Sequence, residues 1–257
     1  MLTLEHINKT FYPGTADEKR LFEDFSLQVS QGEFVSVVGS NGSGKTTMLN
    51  LISGDVLPDS GTVSLGGENI TKKKNYVRAR RIARVFQNPA VGTCPSMTIL
   101  ENMSIADNKG KPYSLTRGLN VKRKGEYQQM LQTLGMGLEQ RMNTLAGALS
   151  GGQRQALALI MATMSRPDLL LLDEHTAALD PKSADLVMEL TRRTVEEQGI
   201  TTLMVTHNLR YAVDYGTRAI MMHEGKVILD LQGEEKQSHS INDYLKVFNE
   251  ISIECGN

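Results

Sequence analysis

The 257-residue chain has almost no cysteine, no membrane-length apolar run and almost no net charge. Each shortage excludes something. Its two cysteines, Cys94 and Cys255, lie far apart and lack metal-ligand spacing, so neither a disulfide framework nor a zinc site is expected and a reducing compartment suits the chain. The longest apolar runs, such as Leu169 to Leu172, fall far short of the roughly 20 residues that a membrane-spanning helix needs. Met1 leads straight into the alternating Leu2-Thr3-Leu4-Glu5-His6-Ile7, without the basic start and apolar stretch of a signal peptide, which predicts a cytosolic protein. With 28 basic against 29 acidic residues, nothing global draws the chain to nucleic acid or to an acidic partner. No internal repeat is visible. The 40% hydrophobic content is enough for an ordinary core, in one large domain or two small ones.

What the chain does have is a glycine-rich loop, Gly39-Ser40-Asn41-Gly42-Ser43-Gly44-Lys45-Thr46-Thr47, which fits the phosphate-cradling pattern G-x-x-x-x-G-K-[S/T]. Its flanks separate it from a chance Gly-rich turn. Before it, Glu33 to Val38 is apolar on both faces like a buried parallel strand; after it, Thr46 to Ile52 reads as a helix closed by Gly54. A loop between a strand end and a helix start can aim successive N–H groups at phosphate oxygens, and the helix dipole adds positive potential. The stretch predicts an ATP site, with Lys45 reaching the β- and γ-phosphates and the Thr46 hydroxyl binding the Mg²⁺ that bridges them.

Around that loop the pattern alternates. Leu2 to Lys9 and Phe25 to Val29 read as strands separated by a polar excursion from Tyr12 to Lys19, and Gly61 to Glu68 reads as a hairpin, which predicts a small antiparallel sheet. Phe11 is a candidate for stacking on adenine, with Tyr12 a competitor for that task and a plain packing role open for either. Residues 90–165 change character, with helical pieces at Thr98 to Ile105 and Lys124 to Leu134 and a polar stretch from Asp107 to Asn120, as expected of an inserted helical subdomain. From Leu169 strands and helices alternate again, implying a parallel sheet. Asp180-Pro181 starts a helix that Gly199 ends, Thr201 to Thr206 is a strand, Arg218 to His223 and Lys226 to Leu231 are strands about Gly225, and Ile241 to Ile251 is an amphipathic helix.

Two further clusters carry chemistry. Leu169 to Leu172 ends in Asp173-Glu174, two carboxylates at the C-terminal end of a strand, where open α/β sheets bind ligands. Asp173 suits a Mg²⁺ held through its water shell and Glu174 a general base that polarises the attacking water. Leu149-Ser150-Gly151-Gly152-Gln153 precedes an apolar helical run from Gln155 to Met164, placing a hydroxyl and two glycine N–H groups at a second helix N-terminus. Serving the same nucleotide in the same chain would duplicate the first loop, so the ATP of a partner is the expected target.

Together these residues resemble the ATP-binding cassette of ABC transporters over the whole chain: GSNGSGKTT at 39–47, Gln87, LSGGQ at 149–153, LLLLDE at 169–174, Ala178-Leu179-Asp180 and Thr206-His207 come in the order and spacing of that family. The resemblance implies an α/β fold: a P-loop, RecA-like nucleotide-binding core with an antiparallel β subdomain, at about 1–89 and 166–257, and an inserted helical subdomain carrying the signature, at 90–165. It implies that Gln87 touches Mg²⁺ and the attacking water, that His207 contacts the γ-phosphate, that Asp180 lies in a loop communicating across a dimer, and that Phe11 is the adenine-stacking aromatic. It further implies an ATPase subunit on the cytoplasmic face of the membrane. Such a subunit pairs with a second copy or a homologous subunit and drives a separate integral-membrane permease, with a substrate-binding lipoprotein as a further partner and no nucleic acid.

The wording DEHTAALDPK at 173–182 resembles bacterial cassettes of amino-acid-type importers, and Met142 to Ala148 carries no export-type acidic motif, so import is expected. His175 departs from the family, where proline is usual; of a pH-sensitive role and a tolerated loop residue, the second is expected. Lys72-Lys73-Lys74 with Arg78, Arg80, Arg81 and Arg84, and the smaller Lys122-Arg123-Lys124, form basic stretches for which anionic lipid or a cytoplasmic loop of the permease is the expected partner. The rival reading is a soluble ABC-type ATPase clamping nucleic acid or ribosomes. Against it, the 105 residues from Lys45 to Ser150 contain no heptad run and the chain has one nucleotide loop. A non-hydrolysing nucleotide-binding module conflicts with Glu174 and His207.

Overall fold

A computed structural model describes residues 1–111 and 118–254, the side chains of 248–254 excepted. Cys255 and the middle of the polar stretch 107–120 lie outside the described residues. Compactness divides the chain into two units, Met1–Ala79 with Ile200–Asn257, and Arg80–Gly199. The expected helical insert, 90–165, falls within the second, together with 80–89 and 166–199, which were expected in the core.

The first unit opens with β1 (Leu2–Phe11), β2 (Lys19–Val29), β3 (Phe34–Gly39), α1 (Lys45–Ser53), β4 (Ser60–Leu65), β5 (Glu68–Asn69) and α2 (Asn75–Arg78). Antiparallel pairing in the order β2-β1-β4-β5 forms the expected small sheet. Alternation sets its register: Leu2 and Leu4 face Val29 and Leu27 on one side and Leu65 and Val63 on the other, all buried. β2 begins at Lys19, earlier than the Phe25 expected, because pairing with β1 extends through Arg20 and Lys19 where the side chains are exposed and polar.

The second unit contains β6 (Ile82–Val85), α3 (Pro89–Gly92), α4 (Ile99–Asp107), α5 (Lys124–Gln132), α6 (Gly151–Thr163), β7 (Leu169–Asp173) and α7 (Pro181–Gln198). β6 and β7 pair in parallel, and Leu169 to Leu172 are fully buried. α6 buries Ala156, Leu157, Leu159 and Ile160, while α5 buries Tyr127 and Leu131. α7 runs as read, with Asp180 as N-cap, Pro181 in its first turn and Gly199 in the left-handed region at its C-cap.

The chain returns to the first unit with β8 (Thr201–Val205), α8 (Leu209–Asp214), β9 (Arg218–His223), β10 (Lys226–Gln232), α9 (Gly233–Ser238) and α10 (Ile241–Glu254). β8 and β9 pair in parallel with the two sides of β3, and β10 is antiparallel to β9. Every residue of β3 is buried, so the strand that delivers the glycine loop is held on both edges and both faces. α10 anchors through Tyr244 in a cluster with Val38, Ala212, Ala219, Met221 and Leu231.

The far end of α1 corrects the expected basic surface. Arg78 is buried, and its guanidinium donates to four backbone carbonyls, those of Leu51 (2.7 Å), Ile52 (3.0 Å), Thr71 (2.7 Å) and Lys73 (2.9 Å). Two of these belong to the last turn of α1, where orphan carbonyls and the negative end of the helix dipole favour a cation. Burial lowers its pKa from the ordinary value. Lys73 pairs with Glu68, Arg81 with Asp168 at 2.5 Å and Arg84 with Asp173 at 2.6 Å, so with Arg78 four of the seven residues of that stretch have partners within the protein.

Candidate active site

In the first unit, the loop Gly39–Gly44 leaves β3 and enters α1 with no side-chain cap and no acidic residue in the first turn of the helix. Gly44 stands in the N-cap position at φ 103°, so no side chain caps the first turn of α1. Two glycines are required by close approach. A Cβ at Gly39 would lie 2.1 Å from the Met222 carbonyl oxygen, and one at Gly44 2.9 Å from the Phe22 ring. Lys45 is buried, and its Nζ donates to the carbonyls of Gly39 and Ser40, both at 2.8 Å, and lies 3.4 Å from Ser43 Oγ. The ammonium is thus held over the hollow of the loop. Thr46 and Thr47 follow in the first turn. A cleft of about 620 Å³ opens against Ser40, Asn41, Gly42 and Ser43, with Lys19 and Lys226 among its walls.

His207 follows β8 and is exposed; Thr206 before it donates its N–H to the Val37 carbonyl at 3.0 Å, and Asn208 after it caps α8. The end of β8 is therefore pinned to the strand that delivers the glycine loop. Phe11 is half-buried at the end of β1, with Lys9 Nζ 5.5 Å from its ring centroid, while Tyr12 is exposed with φ 52°.

In the second unit, Asp173 ends β7 and its Oδ2 accepts from Arg84 Nη2 at 2.6 Å, both side chains being nearly buried. Glu174 follows with φ 48°, in the left-handed region that a non-glycine residue enters only when its surroundings impose it. Strain of this kind collects at functional positions, and here it falls on the expected general base. Gln87 is exposed just past the end of β6, and the Arg84 guanidinium lies 4.8 Å from the centroid of the Phe86 ring.

His175 lies in the turn between β7 and α7. It is buried, with Nε2 3.1 Å from Thr191 Oγ1, whose own proton goes to the Val187 carbonyl at 2.8 Å. The Thr191 oxygen must then accept, so His175 is the neutral tautomer protonated on Nε2. Burial pushes its pKa down to about 4, which excludes a switch near neutrality.

The signature Leu149-Ser150-Gly151-Gly152-Gln153 opens α6 with a reciprocal capping box: Ser150 Oγ accepts from the Gln153 N–H at 3.3 Å and Gln153 Oε1 from the Ser150 N–H at 3.2 Å. The N–H groups of Gly151 and Gly152 are the first of the helix and have no carbonyl one turn back. A Cβ at Gly152 would lie 2.9 Å from that of Ser183, in the first turn of α7. Ser183 in turn donates its N–H to Asp180 Oδ1 at 3.1 Å, and hydrogen bonds from Ser183 hold the Asp180 carboxyl below the usual carboxylate range.

Among the described residues no group of three or more His, Cys, Asp or Glu could hold a metal ion. A magnesium ion carried in by phosphates needs only one or two protein oxygens, and the Thr46 hydroxyl and Asp173 carboxylate are hard donors of that kind. Sequence reasoning missed the Arg84 partner of Asp173, the Thr191 partner of His175, and Gln155, one polar residue on the buried face of α6. For Gln155 the signal was present, as an amide among apolar residues.

A glycine loop between a buried parallel strand and an uncapped helix that begins Lys-Thr defines a P-loop nucleotide-binding ATPase. A profile of the family described as ABC transporter matches residues 22–177, and the chain belongs to that family. It is 45% identical to the tyrosine transport ATP-binding protein of Clostridioides difficile (strain R20291), over 96% of this chain and 98% of that one. It is 34% identical to the lipoprotein-releasing system ATP-binding protein LolD 1 of Caulobacter vibrioides, over 86% and 92%. Among solved structures, the dimeric post-hydrolysis state of the ATP-binding cassette MJ0796 bound to ADP and Pi aligns with a TM-score of 0.76 at 30% identity, over 90% and 98%. The protein is an ATP-binding, ATP-hydrolysing subunit of an ABC transporter, with the P-loop fold that its motifs imply.

Proposed function

We propose that the chain powers import of a small amino-acid-type molecule, an aromatic amino acid being the first candidate, through a separate permease at the cytoplasmic face of the membrane. The observation that carries the cargo is the 45% identity with a tyrosine transport protein along nearly the full length of both chains. A substrate-binding lipoprotein would present the cargo from outside. Among the described residues no helix is long and apolar enough to cross a membrane, so attachment rests on the permease.

In the chemistry we assign, Lys45 and the N–H groups at the start of α1 neutralise the β- and γ-phosphates, and Phe11 stacks on the adenine. Thr46, Asp173 and Gln87 would hold Mg²⁺, which supplies charge neutralisation on the phosphates. Glu174 accepts the proton of the attacking water, and His207 donates to the γ-phosphate. Ser150, Gly151, Gly152 and Gln153 serve the ATP of a second subunit in a head-to-tail dimer, and Asp180 lies at that interface. Supporting the trans assignment, the sequence carries two helix-end anion sites but one Lys45-type loop.

Mixing two inactive variants tests it. Lys45→Ala spoils the loop and spares the signature; Ser150→Arg does the reverse. A mixed dimer has one intact composite site, so about half of the wild-type activity per such dimer is expected if the two sites fire independently. No activity from verified mixed dimers would overturn the trans assignment together with independent firing. For the cargo, ATP-driven uptake of labelled tyrosine by vesicles holding this subunit and its permease is expected. Vesicles that transport a non-amino-acid cargo and leave tyrosine outside would overturn it.

A further inference from the structure

The least explained buried polar side chain in the second unit is Gln155. It has no exposed surface, its Nε2 donates to the Phe86 carbonyl at 3.0 Å, and its Oε1 is buried without a hydrogen-bond partner. A buried amide oxygen left unpaired costs at least as much as one hydrogen bond returns, so an apolar side chain of similar shape would be no less stable here. Stability does not account for the amide. Its position does suggest a use. The Phe86 carbonyl belongs to the same planar peptide unit as the Gln87 N–H, so gripping that oxygen fixes the direction in which Gln87 leaves β6.

We propose that Gln155 is a positioning residue for Gln87, tying it to the helix that begins with the signature. α6 starts at Gly151 behind the Ser150 cap, and Gln155 lies about one turn further along the same rigid element. On its other side Phe86 is held by Arg84, whose guanidinium sits 4.8 Å from the ring centroid while its Nη2 bonds Asp173 at 2.6 Å. Gln87 therefore projects from a peptide clamped between the signature helix and the carboxylate at the end of β7. The inference rests on the role given to Gln87 in hydrolysis.

The test uses the full chain with its permease. Gln155→Met keeps the length and removes both polar atoms; turnover should fall about tenfold, with KM for ATP within about twofold. The melting temperature should stay or rise. Gln155→Glu sets a carboxylate against the Phe86 carbonyl, so its turnover relative to wild type should improve as pH falls and the acid becomes a donor. Adding Gln155→Met to Gln87→Ala should cost nothing beyond Gln87→Ala alone. Wild-type turnover in Gln155→Met, a parallel loss of melting temperature and turnover, or additive losses in the double variant would each overturn the proposal. Unchanged turnover in Gln87→Ala would instead remove the role of Gln87 itself, a failure separable from that of Gln155.

Discussion

Each unit contains a buried parallel strand that breaks into a loop and restarts as a helix, β3 to α1 in one and β7 to α7 in the other, and the two solve the same geometry differently. The first loop has no side-chain cap and a left-handed glycine at the helix start, so the role proposed for it falls on backbone N–H groups. The second closes its helix with Asp180 and spends strain on Glu174 and burial on His175, so the role proposed for it falls on side chains. Backbone function needs glycine and one cation; side-chain function needs a rigid, self-satisfied turn. Loss of the Lys45 charge in the first loop should therefore spare stability and cost binding, and changes in the second should mix the two.

The comparison breaks first at Glu174. Glu174→Gln keeps the shape of the turn and removes the base, so hydrolysis should fall by about 10²–10⁴ while ATP affinity holds. Single-turnover rates and ATP titration check this, and near-wild-type turnover would end the assignment. Lys45→Ala comes next. Its ammonium is tied to the loop carbonyls, but removing it takes away the one full positive charge on the loop. ATP affinity should drop about 10²-fold, equivalent to about 2.7 kcal/mol. Without nucleotide the melting temperature should barely move, and calorimetry with a melting curve tells loss of binding from loss of fold.

The strands and helix limits around both loops were legible because burial on both faces, Asp-Pro starts and Gly stops are local signals. Gly54 and Gly199 both close their helices in the left-handed region as read. The motifs were legible for the same reason. What stayed hidden were partnerships between residues distant in sequence. Arg78 looked like part of a basic surface because only the fold brings the carbonyls of Leu51 and Ile52 to it. β6 was masked by Arg81 and Arg84, whose charges face Asp168 and Asp173. His175 lies in a loop as read, but its burial was hidden because its partner Thr191 lies sixteen positions on.

His175 sharpens the comparison by pH. Its folded pKa of about 4 lies below the ordinary 6.5, so between those values the unfolded chain takes up a proton that the folded one refuses. The stability contribution is complete above pH 6.5 and is lost as pH falls toward 4. At pH 5 the loss is about 2 kcal/mol. Gln can still donate to Thr191 and cannot titrate, so His175→Gln should be less acid-sensitive than wild type by that amount. Parallel urea midpoints at pH 7 and pH 5 measure it, and identical slopes would mean that the histidine is not buried in solution.

The smallest effect separates the two uses of Asp180. As N-cap of α7 it accepts the Ser183 N–H at 3.1 Å, which Asn can do equally well and Ala cannot. Asp180→Ala should therefore cost about 1 kcal/mol of stability and Asp180→Asn almost none. Any role at the dimer interface would depend on charge or on the exact acceptor presented to the partner, and there the order can differ. If Asp180→Asn melts like wild type and yet loses turnover, the carboxylate acts beyond its own helix. If turnover instead follows stability through both variants, Asp180 is a cap alone, and the second loop gives side-chain function to Glu174 without extending it to its last residue. The Ser183 side chain is the control. Ser183→Ala keeps the backbone N–H that Asp180 accepts, removes the hydroxyl that lowers its pKa, and leaves the Cβ that crowds Gly152. Wild-type melting and turnover in Ser183→Ala would place the whole contribution of this corner in the cap and in the tight passage of α6 past α7.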